Sequence, residues 1–337
     1  MCSKEESVMC TSIAMKTNDF YFGRTMDLEY ELDGSIVITP RNFPIIFRKA
    51  APLKRHYAIM GMAVLSEGFP LYADAVNEKG LCFSGLNFPD NACYSPKEDP
   101  EKFNISPFEL VLWLLGKCSC IDEVKELIKN THLISIPFSD CLPLAPLHWH
   151  IADRNSSIVL ESTKSGLSLF DNPVGVLTNN PGFEFQITNL CQYLNLTTGC
   201  SQNCFSEKAQ IKPFGNGLGC VGLPGDFSPV SRFVKVSFLN LNSICPADEQ
   251  GSVAQFFHLL DAVSMPRGSV VINTKPNEIL YEITTYSCCI NASKGFYYYK
   301  TYSNNQLTAI DMNRENLNSC SLKSYPLVKC QQVAWQN

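Results

Sequence analysis

Long apolar runs are missing from this 337-residue chain, although 45% of its residues are hydrophobic. No window reaches roughly 18 consecutive apolar residues, about what a membrane-spanning helix needs, so we expect no membrane span. The first residues, MCSKEESV, are polar and acidic, and no apolar stretch of the secretory kind follows them. We therefore expect a cytoplasmic protein.

Charge is also scarce, at 18% of residues, and the formal net charge is only −5. No long run of either sign occurs, which argues against nucleic-acid partners and against binding to anionic membranes. Internal repeats, low-complexity tracts and an obvious linker are absent as well. We therefore expect a single globular domain over residues 10–337.

The chain has sixteen cysteines, but their spacing along the sequence is not that of a zinc site. None of the closest cysteine pairs has the C-x2-C spacing or a histidine beside it. These pairs are Cys118/Cys120, Cys200/Cys204 and Cys288/Cys289. In a reducing compartment they are thiols, which pack as small apolar side chains. We expect no metal and no cofactor, so a metal or redox protein is the weakest of the alternatives.

Strands are predicted towards both ends of the chain, with helices between them. The strand candidates are CTSIAMK, FYFGRTMDLEY, SIVITP, YAIMGMAVL, LYADAVNEKG, LCFSGLN, LHWHIADRN, SIVLESTKSG, VGVLTNN, EILYEITTYSCCIN, GFYYYKTYS and LTAIDM. The helix candidates are ISPFELVLWLLGK, SCIDEVKELIKN, residues 182–195, SPVSRFVKVSFLNL and EQGSVAQFFHLLDAVSM. Ser106 and Ser119 are the expected caps of the first two helices, and Pro229 the first residue of the fourth. This order predicts an α+β fold in which helices cover two antiparallel sheets.

Residues 196–227 are a long irregular stretch. Structureless loops of this length are uncommon in a compact domain, so this one is expected to serve function or assembly.

The dipeptide Met-Cys occurs twice, as Met1-Cys2 and as Met9-Cys10. A cysteine at a free N-terminus can attack as a thiolate, and its α-amine, with a pKa of about 7.7–8.0, can act as the base. The polar segment SKEESV follows Cys2, whereas the strand-like TSIAM follows Cys10. We therefore predict Cys10 as the nucleophile and residues 1–9 as an extra segment absent from the mature enzyme. The amine of Cys10 would be exposed by translation from Met9 followed by removal of that methionine by an aminopeptidase, or by self-cleavage before Cys10.

Arg24 and Asp27 follow Cys10 on the next predicted strand, in FGRTMD. A cation beside a thiol lowers its pKa, and a carboxylate can orient an amine. Residues three apart on an ideal strand face opposite sides, so we predict a bulge near Thr25–Met26 that lets both reach Cys10. Taken singly, Cys10 would be a buried structural thiol, and the other two a surface ion pair.

Seven segments in order resemble the choloylglycine hydrolase family, which contains bile salt hydrolases and penicillin V acylases. They are MCTSIAM, FGRTMDLEY, VNEKGLCFSGLNFP, LHWHIAD, GVLTNNPGFEFQ, GLPGDFSPVSRFVKV and YYYKTYSNNQLTAIDMNREN. The resemblance runs nearly end to end from Met9, and seven ordered motifs are far more specific than any one of them.

The resemblance implies an N-terminal nucleophile hydrolase, a four-layer αββα sandwich that hydrolyses an amide through a thioester. It implies that the backbone N–H of Asn87 and the side-chain amide of Asn179 hold the oxyanion; singly, both would be turn residues. Arg232, in SPVSRF, would singly be a helix-face charge at an electrostatically unfavourable end. The implied catalytic residues are Cys10, Arg24, Asp27, Asn87, Asn179 and Arg232.

The resemblance also implies the substrate class. Asn87 in GLNFP favours glycine- or taurine-conjugated bile salts, because the penicillin branch tends to carry an aromatic residue there. The implied acyl pocket is apolar, as a steroid requires. Its residues are Met26, Ala73, Phe138 and Leu142. Residues 196–227 match the family's assembly segment, which implies a homotetramer.

Two alternatives remain open. One is a penicillin V acylase or another N-acyl amide hydrolase of the same family. The other is a catalytically silent bile-acid-binding homologue, if residues 1–9 are retained.

Overall fold

The computed structural model describes residues 9–275 and 278–337. Cys2 and all but the last residue of the predicted extra segment lie outside the described residues. Among the helices described, none combines the length and apolar character that crossing a membrane requires.

Strands dominate the described residues at both ends of the chain, as predicted. They are β1 Met9–Lys16, β2 Phe20–Leu28, β3 Ser35–Thr39, β4 Ile59–Ser66, β5 Phe69–Asn77, β6 Cys82–Asn87, β7 Phe103–Ile105, β8 Thr131–Leu133, β9 Leu147–Ala152, β10 Ser157–Thr163, β11 Gly166–Asp171, β12 Val176–Leu177, β13 Val270–Lys275, β14 Glu278–Asn291, β15 Phe296–Thr301, β16 Asn304–Asp311 and β17 Lys323–Pro326. The helices are α1 Leu110–Lys117, α2 Ile121–Lys129, α3 Phe183–Asn189, α4 Pro229–Leu241 and α5 Glu249–Asp261.

Two large antiparallel sheets form the centre of the fold. The first, which we call the nucleophile sheet, has the order β12-β1-β2-β14-β15-β16, with β13 also paired to β14. The second, the pocket sheet, has the order β11-β10-β9-β6-β5-β4-β3-β17. A small parallel pair, β7 and β8, lies outside both.

Apolar clusters fill the spaces between four layers. One cluster packs α1 and α2 on the pocket sheet, a second packs α3, α4 and α5 on the nucleophile sheet, and a third lies between the sheets. Their members include, in that order, Phe83 and Trp113, Ile13 and Phe256, and Phe22, Met60 and Tyr297. The predicted four-layer αββα sandwich is therefore confirmed.

The alternation of side chains along the strands explains how both sheet faces are buried. On β14, Cys288 and Ile290 point between the sheets, whereas Cys289 points to the helix layer. On β2, Phe22 and Tyr21 divide in the same way. Buried side chains therefore occupy both faces of these strands, so their segments do not alternate strictly between apolar and polar residues.

The helix starts agree with prediction in two of three cases. Ser106 caps a short 3-10 turn that leads into α1, and its N–H donates to Glu109 at 2.9 Å. Ser228 caps α4, with Pro229 as its first residue. The prediction for α2 was wrong by one residue, because its N-cap is Cys120 and not Ser119.

The bulge predicted near Thr25–Met26 is on the neighbouring strand instead. The pairing of β1 with β2 runs without a shift through Cys10–Met26 and Met9–Asp27. On β14, however, Thr285 is an extra residue opposite the step from Met26 to Asp27. Because β2 itself stays regular, Arg24 and Asp27 do face opposite sides of the sheet.

Residues 196–227 are irregular, as predicted, apart from a 3-10 turn at Leu218–Cys220. The segment leaves Phe205 85% exposed and Phe214 93% exposed. Large apolar side chains at such exposure are unusual on a free surface when they occur close together.

Candidate active site

Cys10 is the second residue of β1 and is buried, with its thiol directed between the two sheets. The thiol accepts a hydrogen bond from Nη2 of Arg24 and another from the backbone N–H of Asn87. Two of the residues predicted for the site therefore touch the sulfur directly.

Arg24 is held rigidly between the sheets. Its Nε donates to the Thr25 carbonyl at 3.1 Å, and its Nη1 donates to the carbonyls of Ala73 and Gly85 in the pocket sheet. The side chain is fully buried. A buried guanidinium fixed by carbonyls keeps its charge and its direction, which suits it to stabilise a thiolate.

The thiol is nevertheless hard to ionise in this chain. Burial raises the pKa of Cys10 above its usual value, and the charge of Arg24 offsets only part of that increase. None of the five histidines, all of which fall in the described residues, hydrogen-bonds the sulfur. Attack by sulfur at neutral pH therefore requires a base from elsewhere.

Asn179 lies just beyond β12, and its amide is oriented by three hydrogen bonds. Its Oδ1 accepts from the Cys10 backbone N–H at 2.9 Å and from Nη2 of Arg232 at 2.8 Å. Its Nδ2 donates to the Asn87 carbonyl at 2.8 Å. Because both oxygen contacts are to donors, the NH2 group must point towards Asn87, and it has a second proton to offer.

Arg232, the fourth residue of α4, reaches into the same site. Besides Asn179, it donates to the Cys10 carbonyl and to Thr11 Oγ1 at 2.7 Å. It is fully buried, and burial lowers its pKa from the ordinary arginine value. The unfavourable position of this cation near the positive end of a helix is therefore offset by its hydrogen bonds to two residues of β1.

Asp27 faces the helix layer and does not reach the thiol. Its carboxylate accepts from Thr284 Oγ1 at 2.5 Å and from Thr25 Oγ1 at 3.2 Å. Its partner across the strand pair is Met9, the residue before Cys10. The carboxylate thus lies on the side of the Cys10 backbone and not of its sulfur, where it can orient an amine without the bulge that we expected in β2.

Two buried carboxyl groups near the site were missed from the sequence. Asp74 on β5 accepts from the hydroxyls of Tyr286 at 2.6 Å and Tyr297 at 2.7 Å, and its charge acts on Arg24. Glu282 on β14 accepts from the Met9 backbone N–H at 2.7 Å. The available signal was an acidic residue inside an otherwise apolar strand, which must find a partner when buried.

The four predicted pocket residues, Met26, Ala73, Phe138 and Leu142, line one cavity of about 300 Å³. Its wall is mainly apolar and includes Gly85, whose carbonyl binds Arg24. Because Met26 pairs with Cys10 across the strands, the cavity lies next to Cys10.

A second cavity, of about 720 Å³, is larger but lies away from this chemistry. It runs along α2 and β11 and is lined by none of the predicted catalytic residues. Proximity to the sulfur, and not volume, therefore makes the smaller cavity the candidate substrate site.

A profile of the choloylglycine hydrolase family, described as linear amide C–N hydrolases, matches residues 10–325. The chain belongs to this family. The match begins at Cys10, the predicted nucleophile. Membership makes the protein an amidase that acts on linear C–N bonds.

Characterised family members are similar over nearly the whole chain. The "Bile salt hydrolase/transferase" of Lactiplantibacillus plantarum is 48% identical, over 95% of this chain and 97% of that protein. The Clostridium perfringens protein of the same name is 42% identical, over 94% and 96%. The crystal structure of a mutant conjugated bile acid hydrolase from Clostridium perfringens superimposes with a TM-score of 0.88 at 40% identity, covering 97% of this chain and 100% of that one.

The similarity to one penicillin V acylase supports the fold alone. The penicillin V acylase of Agrobacterium tumefaciens superimposes with a TM-score of 0.71 at 19% identity, over 94% of this chain and 90% of that one. The shared N-terminal nucleophile fold agrees with the layers described above.

His148 contacts both segments that carry the two asparagines of the site, the end of β6 with Asn87 and the segment after β12 with Asn179. Its ring stacks on Phe88 with centroids 4.3 Å apart, and its Nε2 lies 2.9 Å from the Thr178 carbonyl. Its Nδ1 lies 3.2 Å from Glu161, which also accepts from the N–H of Phe183 at the start of α3. The ring therefore contacts the residue after Asn87 and the residue before Asn179.

Replacing His148 by phenylalanine is expected to lower kcat/KM by about 10- to 100-fold, because small displacements of positioned groups cost about that much. Stacking on Phe88 remains, but the bond to Thr178 is lost. His56→Phe is the matched control, since His56 is also buried with both ring nitrogens on carbonyls but is remote from Cys10. Steady-state kinetics with thermal unfolding checks this; equal kcat/KM in both variants would refute the role.

Proposed function

We propose that this protein hydrolyses the amide bond of glycine- and taurine-conjugated bile salts, with Cys10 as nucleophile. The observation that carries the proposal is the convergence of Arg24, Asn87 and Asn179 on Cys10 beside an apolar cavity. An apolar cavity suits the steroid, and its position places the amide of a bound conjugate near the sulfur.

In the proposed course the α-amine of Cys10, once free, takes the thiol proton, and Arg24 stabilises the thiolate. Sulfur attacks the amide carbonyl, and the resulting oxyanion accepts from the Asn87 N–H and from the second N–H of Asn179. The ammonium of Cys10 then protonates the leaving nitrogen, so glycine or taurine departs and a thioester remains. Water, deprotonated by the same amine, hydrolyses the thioester and restores the thiol.

The proposed oxyanion donors are supported by how their surroundings fix them. Arg232 and the Cys10 nitrogen both hold the oxygen of Asn179, which prevents its amide from turning over. The Asn87 N–H already points at the sulfur. Preorganised donors of this kind typically contribute about 10²–10³ in rate each.

The proposal is tested by assaying a glycine conjugate, a taurine conjugate and penicillin V with the same preparation. Hydrolysis of the conjugates to free bile acid and amino acid is the expected result. Cleavage of penicillin V alone would assign the chain to the second activity of the family. Binding of bile acid without any hydrolysis, by chains that retain residues 1–9, would support the silent homologue.

We also propose a homotetramer assembled through residues 196–227. Five large apolar side chains in and beside this segment are more than half exposed. They are Leu194, Phe205, Ile211, Phe214 and Val221. Burial of such a set between copies would remove a large apolar area from water.

Light scattering at micromolar concentration should give four times the mass of one chain. The double variant Phe205→Ser, Phe214→Ser is expected to give smaller species, because both side chains are more than four-fifths exposed in one chain. Ile46→Ser, which changes an exposed apolar residue outside the segment, is the control and should remain tetrameric. A wild-type monomer would overturn the assembly.

The cytoplasm is the location we propose. The fifteen cysteines of the described residues are free thiols, which suits a reducing compartment. Cell fractionation tests this.

A further inference from the structure

Glu282 is a buried carboxyl group beside the backbone that carries the nucleophile. It lies on β14, is 1% exposed, and its Oε1 accepts from the backbone N–H of Met9 at 2.7 Å. Met9 immediately precedes Cys10 and pairs with Asp27. Glu282 therefore lies beside the residue that would have to be removed to make Cys10 the N-terminus.

The surroundings of Glu282 are crowded with negative charge. Asp27 faces it from β2, Glu29 faces it from just beyond the end of β2, and the cation Arg232 faces it from α4. The Met9 N–H faces it from β1. Burial, and next the charge of Asp27, raises the pKa of Glu282 to about 8. Its second oxygen, Oε2, is buried and makes no hydrogen bond within the described residues. A buried acceptor without a donor is costly, and a cation placed here would satisfy it.

We propose that Glu282 is a positioning residue for the α-amine of Cys10 after Met9 has been removed. The inference rests on the proposed N-terminal nucleophile mechanism. The nitrogens of Met9 and Cys10 are three covalent bonds apart, so without Met9 the carboxyl group of Glu282 and the new amine border the same space. Asp27 borders it from the paired strand, which gives the amine two acidic neighbours.

This placement gives Glu282 a defined task in the reaction. In the mature chain a cationic amine beside Glu282 favours the ionised carboxyl group and opposes the rise in pKa that Glu282 shows beside Met9. When the amine takes the thiol proton it becomes an ammonium, which the Glu282 carboxylate stabilises. When the ammonium passes its proton to the leaving nitrogen, the positive charge disappears, and Glu282 itself is unchanged. The charged groups around the amine and Glu282 are then Asp27, Glu29, Arg24 and Arg232.

Replacing Glu282 by glutamine removes one negative charge while keeping the side chain's size. Negative charge near an amine or a thiol raises its pKa, so its loss lowers the pKa of the coupled pair. The rate of Cys10 alkylation by iodoacetamide, followed by mass spectrometry on chains that begin at Cys10, reports this titration without any substrate. When this rate is plotted against pH, we expect its acidic limb, the part of the curve over which the rate rises with pH, to move to lower pH by about 0.5–1 unit.

The controls separate charge from packing. Glu109→Gln changes an equally buried glutamate whose pKa is also raised by burial, but in the cap of α1, and should leave the limb in place. Glu282→Asp, which retains the charge, should shift it less than Glu282→Gln. If the glutamine variant fails to fold, Glu282→Met tests the same point, because apolar replacement of a buried charge is often tolerated.

An unchanged limb in Glu282→Gln or Glu282→Met overturns the inference. Failure of the proposed function is distinguishable, since it would appear as absent bile salt hydrolysis in the wild type while the alkylation profile could still be measured.

Discussion

Replacing Cys10 by serine is expected to abolish bile salt hydrolysis, lowering kcat by about 10³-fold or more, as loss of a nucleophile does in other hydrolases. The reason lies in the proton balance of the site. A thiolate attacks far better than a hydroxyl, and a hydroxyl gives up its proton less readily to the same amine. The direct contact of Arg24 with the sulfur favours a thiolate, so this site is arranged for a thiol.

Cys2→Ser is the matched control, because it changes the cysteine of the other Met-Cys pair and should keep wild-type kcat. Binding of a conjugated bile salt, measured by calorimetry, should survive in Cys10→Ser because the cavity lined by Phe138 and Leu142 is untouched. Turnover by the Cys10→Ser enzyme at a rate near wild type would rule out Cys10 as the nucleophile.

The fold was predictable where strand-forming residues extend over many positions. The segment EILYEITTYSCCIN forms β14 from its first residue to its last, and its β-branched and aromatic residues are spread along all fourteen positions. Short strands such as β7 and β17 were missed, since three or four residues contain too little pattern to distinguish a strand from a loop.

Features that depend on distant partners could not be predicted. The N-terminus of α2 is satisfied by Asp153, whose carboxylate accepts from the Ile121 N–H at 2.8 Å, so the local serine is not needed as a cap. The bulge appears at Thr285 because sheet pairing can absorb an extra residue on either neighbouring strand. Neither choice is encoded in the few residues around it.

The site shows the same division between local pattern and distant contact. Cys10 and Arg24 were predicted from motifs and do meet. Asp27 was expected to reach Cys10 through a bulge in its own strand but lies on the opposite face of a regular strand, where Glu282, 255 residues later in the chain, joins it. A motif identifies which residues belong to a site. Which of them lie at the sulfur and which at the backbone nitrogen depends on how β1, β2 and β14 pair, and a motif does not contain that information.

Chains in which Cys10 is still preceded by Met9 are expected to be inactive. In such chains the Cys10 nitrogen is a peptide nitrogen that donates to Asn179 and cannot accept a proton. Burial keeps the thiol protonated at neutral pH, and no histidine of the described residues hydrogen-bonds it. Activity should therefore rise in proportion to the fraction of chains that intact mass shows to begin at Cys10.

Met9→Leu separates the two routes that would free the amine. If translation begins at Met9 and the methionine is then trimmed, the variant yields only chains that retain residues 1–9, and activity is lost. If the chain cleaves itself before Cys10, the variant still matures and keeps its activity. A chain started at Met9 is the positive control and should be fully active after trimming. Full activity from chains that verifiably retain Met1 would contradict both the amine as base and Cys10 as the attacking residue, because the peptide bond before Cys10 leaves the site without a base.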